Sequence, residues 1–98
     1  MLLHIALQDG FREDTVRIEA AGREIYRKQG VTSKTQIGYA DSVEVELGAP
    51  TELKVQVETR HASQTCSLPP HGPIYVGVSL TSEGQFDIRF SREPFGYL

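Results

Sequence analysis

The side chains with the most chemical potential fall in one run, RHASQTCSLPPH, where His61, Cys66 and His71 follow one another with four residues between each pair. Imidazole and thiolate both ligate zinc, and a thiolate beside an imidazole can serve as a nucleophile. The spacing opposes both uses. If residues 64–69 run as a strand, its five steps span about 17 Å. The histidines then lie at opposite ends, whereas ligands of one metal converge to within about 2–2.3 Å of it. Cys66 therefore reads as a small core residue and the histidines as turn residues. No metal ligand set, cofactor or catalytic residue is assigned.

Carboxylates form the next candidate group. Asp9, Glu13 and Asp14 share one connection, with Asp41 as a possible neighbour, and loop carboxylates at one end of a β-sandwich can bind calcium. Turn carboxylates more commonly accept backbone N–H bonds or face water. Tyr26, Tyr39, Tyr75 and Tyr97 could form an aromatic platform for carbohydrate, but the chain has no tryptophan to strengthen one. Arg23, Arg27 and Lys28 flank Tyr26 and could meet an acidic partner. Charges of this kind also protect the open edge of a sheet. The chain contains no G-x-S-x-G, H-E-x-x-H, P-loop or dinucleotide-binding glycine fingerprint. Nothing in it supports catalysis.

These residues must be held by a small scaffold. Surface scaling assigns a 10.9 kDa chain roughly 5,600 Å² of folded surface against roughly 15,800 Å² unfolded, enough for one modest core. The composition, 39% hydrophobic and 23% charged, is that of a globular protein, with no apolar run long enough to span a membrane. The net charge of −3 argues against non-specific nucleic-acid binding, which draws its affinity from clustered basic side chains. Residues 12–34 are the exception, with six basic against four acidic residues, so one edge is mildly basic. A single cysteine cannot form an intrachain disulfide, and MLLHIALQ lacks the charge and cleavage pattern of a signal peptide. A reducing, cytoplasmic home is expected.

Apolar and polar residues alternate with period two nearly throughout, the pattern of strands with one buried face. Val43, Val45 and Leu47 alternate with polar residues, as do Leu53, Val55 and Val57. A hairpin through residues 48–52 would set Leu47 against Leu53, Val45 against Val55, and Glu46 against Lys54. A second hairpin turns at Ser82, Glu83 and Gly84 and pairs Leu80 with Phe86 and Val78 with Ile88. A third turns at Ala21-Gly22, with either Ile25 or Tyr26 facing the core. Leu3, Ile5 and Leu7 share one face, and Cys66 and Leu68 another. Residues 29–41 are irregular, with a short strand expected near Thr35 to Ile37.

The fold expected is a single all-β domain over residues 1–98: an antiparallel β-sandwich of seven or eight short strands with an immunoglobulin-like layout. Beyond the last strand the chain reads EPFGYL. Pro94 ends the ladder, Gly96 permits a sharp turn, and Phe95, Tyr97 and Leu98 are free to cover an open end of the sandwich or another chain. The function expected is a non-catalytic binding or assembly module acting through protein–protein contacts. Its partner is another protein or a second copy in a homodimer, with no nucleic acid and no membrane. The contact residues expected are Phe95, Tyr97, Leu98, Tyr39, Tyr26 and Arg27. The alternative is a carbohydrate- or calcium-binding β-sandwich.

Overall fold

The alternating segments become strands in a computed structural model, which describes residues 1–48, 52–69 and 71–96. In chain order these are β1 (Leu2–Leu7), β2 (Asp14–Ala20), β3 (Arg23–Val31), β4 (Asp41–Glu46), β5 (Glu52–Val57), β6 (Ala62–Ser67), β7 (Ile74–Leu80) and β8 (Phe86–Ser91). A single 3-10 turn, Glu58–Arg60, joins β5 to β6. They form two four-stranded sheets, ordered β4-β1-β7-β8 and β3-β2-β5-β6. Each strand turns its apolar residues toward the other sheet. Leu3, Ile5, Val76 and Val78 from the first layer meet Val16, Ile18, Leu53 and Val55 from the second, all fully excluded from water.

Every pairing is antiparallel except that of β1 with β7, which is parallel, with Ile5 beside Val76. An immunoglobulin constant domain orders its strands ABED and CFG. The order here differs, so the expected likeness extends only to two packed sheets of short strands.

The β7–β8 hairpin has the expected register, Leu80 opposite Phe86 and Val78 opposite Ile88. Gly84 closes its turn at φ +80°, donating its N–H to the Thr81 carbonyl at 2.9 Å. The β2–β3 hairpin turns at Ala21 and Gly22, with Ala20 opposite Arg23. A bulge then inserts one extra residue at Ile25, so Ile18 faces Tyr26. Both Ile25 and Tyr26 pack against the core as a result.

Two expectations are corrected. β4 and β5 do not form a hairpin: β4 pairs with β1, Leu3 opposite Val45, while β5 pairs with β2, Ile18 opposite Val55. Alternation fixes which face of a strand is buried but not which neighbour it takes, and both arrangements bury the same valines and leucines. Two further contacts accompany the β1–β4 pairing. The Met1 amine donates to the Leu47 carbonyl at 2.8 Å, and His4 lies 3.4 Å from Glu44. The stretch Thr35 to Ile37 is not a strand but a turn, held where Gly38 donates to the Lys34 carbonyl at 2.9 Å.

Connections between the layers demand close approach at one glycine. Gly10 sits at φ +91°, and a Cβ on it would lie 2.0 Å from the Leu80 carbonyl oxygen. That contact is backbone and cannot yield as a flexible side chain would. Gly10→Ala is expected to cost about 2–4 kcal/mol from left-handed strain plus overpacking. Gly22→Ala, with open space around its Cβ, should cost less. Urea unfolding of the two variants checks this.

Candidate functional site

Asp14 is the one buried charged residue among the described residues, 2% exposed. It opens β2, where the chain has just left the first sheet for the second. Its carboxylate accepts bonds from the Arg12 N–H (2.8 Å), the Thr59 hydroxyl (2.7 Å), and Arg60 Nε and Nη2 (3.0 and 2.8 Å). Burial alone would raise its pKa, but the Arg60 bond, the Arg12 amide, the Thr59 hydroxyl and the Arg60 charge outweigh it. The carboxyl is held below its ordinary value of 3.8.

A cleft of about 660 Å³ adjoins this network, lined in part by Arg12, Thr32, Ser33 and Arg60. Three of its polar side chains brace loops. Arg60 also donates to the Gly10 carbonyl at 2.8 Å. Ser33 accepts the Phe11 N–H and donates to the Gln8 carbonyl. Thr32 accepts the Glu13 N–H. Arg60, one of the two cations that line the cleft, is already paired with Asp14.

The two long sides of the sandwich differ. On the side where β3 lies over β4, the Tyr26 hydroxyl donates to Asp41 Oδ2 at 2.8 Å and Lys28 Nζ reaches the same oxygen at 3.2 Å. Burial, followed by the bond to Asp41, raises the Tyr26 pKa. Burial would raise the Asp41 pKa too, but the bonds from Tyr26, the Ser42 N–H and Lys28 bring it below its ordinary value. That side is clasped shut.

The opposite side, where β6 and β8 are the edge strands, is open. Phe86 and Ile88 face inward but are only half-buried, and Phe90, on the same face, is 43% exposed. The inward positions of β6 are Ala62, Gln64 and Cys66, which lie opposite Val57, Val55 and Leu53 of β5. They are too small or too polar to cover three large side chains. A cleft of about 630 Å³ runs between Ala62 to Gln64 and Gly84 to Phe86.

The expected contact residues do not converge. Tyr26 is in the clasp. Arg27 is bound to Glu24 at 3.0 Å, and Tyr39 donates its hydroxyl to Ser42 at 3.1 Å. Phe95 follows β8 and is half-buried. Tyr97 and Leu98 lie outside the described residues. Of the carboxylates considered for calcium, Asp14 and Asp41 are each taken up in a separate network, and no group of His, Cys, Asp and Glu suited to a metal occurs among the described residues. Cys66 is half-buried against the core, where burial pushes its thiol pKa up.

Sequence reasoning missed Phe11, Asp14 and Arg60 as structural residues. Phe11 is a lone aromatic in a polar connection, and it is buried. The available signal for Asp14 was its place at the head of an apolar strand, two residues after Arg12, where an aspartate can cap a turn.

Asp14→Ala is expected to cost about 3 kcal/mol at neutral pH, the low end for breaking a buried pair, because Arg60 retains access to water. The folded pKa is depressed, so this stabilisation is present above the ordinary carboxyl value and lost as pH falls through the folded one. The stability gap between wild type and variant, measured by urea unfolding, should therefore begin to narrow below about pH 4 and go on narrowing until pH passes below the folded pKa. The Cys66 thiol should react with a maleimide more slowly in the native chain than in the unfolded one. Comparison with known proteins finds no family model, no curated protein and no solved structure that matches this chain.

Proposed function

We propose that the protein is a non-catalytic assembly module that acts through protein–protein contacts on its open β6–β8 side. The observation that carries this reading is the contrast between the two sides. One is closed by Tyr26, Asp41 and Lys28, while the other leaves Phe86, Ile88 and Phe90 short of cover. Exposed apolar clusters on small domains mark contact surfaces, and an unpaired edge strand offers a row of backbone donors and acceptors beside them. Phe95, half-buried, follows β8 in the chain and adds an apolar side chain to this end of the molecule in this reading. Tyr26, Arg27 and Tyr39 serve the clasp and its surroundings in this reading.

The cytoplasm is the proposed location, on the strength of a half-buried lone thiol with no disulfide partner. Among the described residues no helix is long and apolar enough to cross a membrane. No specific observation favours carbohydrate or calcium as the ligand over protein contact.

A photo-crosslinking residue at position 90, in cells producing the intact chain, tests the reading. Adducts to a protein, whether the same chain or another, should form from position 90 and not from position 23 at the tip of the β2–β3 hairpin. Equal yields at the two positions, or none at 90, would overturn it.

A further inference from the structure

We infer that the partner on the open side is a second copy of this chain, joined by antiparallel pairing of β8 with itself about a two-fold axis through Ile88. The inference rests on the reading of this side as a protein-contact surface and adds to it the partner and the register.

Among the described residues no strand pairs with β8 on the side away from β7, which leaves its backbone available there. Within β7, the Val78 carbonyl accepts the Gln8 N–H at 2.7 Å and the Leu80 N–H donates to the Asp9 carbonyl at 2.8 Å. The even-numbered residues of β7 thus direct their polar groups toward β1. Its odd-numbered residues bond to β8, and their partners there are Asp87, Arg89 and Ser91. Alternation in an antiparallel ladder then leaves the N–H and C=O of Phe86, Ile88 and Phe90 directed at the free edge. These are the same three residues whose side chains lack full cover.

The side chains are self-complementary. The strand reads Phe86-Asp87-Ile88-Arg89-Phe90. An axis through Ile88 sets Ile88 against its own copy, Phe86 of one copy against Phe90 of the other, and Asp87 of one against Arg89 of the other. An isologous interface requires this kind of match, each residue serving on both sides of the axis. Neighbouring registers fail. Moving the axis to Asp87 opposes two aspartates, and moving it to Arg89 opposes two arginines. An axis midway between residues places inward-facing phenylalanines against outward-facing charges. In the single chain Arg89 lies 3.3 Å from Asp87, and both are largely exposed, at 72% and 47%. Neither is buried in a contact that pairing would have to break.

Sedimentation equilibrium of the full chain across about 1–200 µM tests the proposal, the upper end matching weak-to-moderate self-association. The expected mass is twice 10.9 kDa. Asp87→Arg alone and Arg89→Asp alone should each weaken the dimer by about tenfold, because two opposite-charge pairs become like-charge pairs. The double variant Asp87→Arg/Arg89→Asp restores both pairs and should recover the dimer. The changed side chains are exposed, and circular dichroism of each variant checks that the fold is intact. Amide exchange gives a second readout: the Ile88 N–H should be protected at high protein concentration and exchange quickly when dilute. A dimer indifferent to every reversal overturns the β8 pairing and leaves the protein-contact reading in place. A monomer whose position-90 probe still captures another protein does the same. A monomer that captures nothing overturns both.

Discussion

A buried carboxylate fixes how the two layers meet. Asp14 stands where the chain crosses from the first sheet to the second, and its oxygens hold Arg60 and Thr59 of the turn between β5 and β6. Arg60 in turn holds the Gly10 carbonyl, and Gly10 is pressed against Leu80 of the first sheet. A chain of contacts thus runs from one sheet to the other through a single charge. Desolvating that charge is costly, and only several donors converging on it offset the cost. Their convergence ties the β1–β2 connection to the turn between β5 and β6.

The contrast between the two sides follows from the composition of four edge strands. β3 and β4 carry long polar side chains that reach across the gap, so Tyr26 and Lys28 can share Asp41. β6 carries Ala-Ser-Gln-Thr-Cys-Ser, a strand of short side chains with little apolar area. Facing it, β8 carries two phenylalanines and an isoleucine on its inward side. An edge with so much apolar surface opposite so little is poorly matched within one molecule. The outward face of β8 has the opposite character, with one acid and one base placed symmetrically about Ile88.

Much of this architecture was legible in the sequence because period-two alternation names the buried face of a strand directly. Leu3, Ile5 and Leu7, or Val76, Val78 and Leu80, could be assigned to the core from spacing alone, and Gly84 marked the β7–β8 turn by its conformational freedom. Neighbour choice was less legible. The valines of β4 and β5 fit a hairpin as well as they fit two separate sheets, and what decided between them was the remote alignment of β4 with β1. The Asp14 network was hidden for a similar reason: Arg60 is far from Asp14 in sequence, and nothing local connects them. The uncovered side could not be read from β8 alone. It depends on which strand lies over it, and therefore on sheet order.

The parallel pairing of β1 with β7 has a consequence for how the chain acquires its shape. Antiparallel neighbours can be joined by a tight turn, but these two strands are separated by most of the sequence. The first sheet cannot complete itself until Ile74–Leu80 has been made, whereas β2, β3, β5 and β6 of the second sheet are all present before that point. Such long-range closure slows folding. β1 and β4 can pair with each other before β7 is made, but as a two-stranded fragment with one edge of β1 still open. The β7–β8 hairpin is thus the piece that completes the first sheet and closes the core over the second.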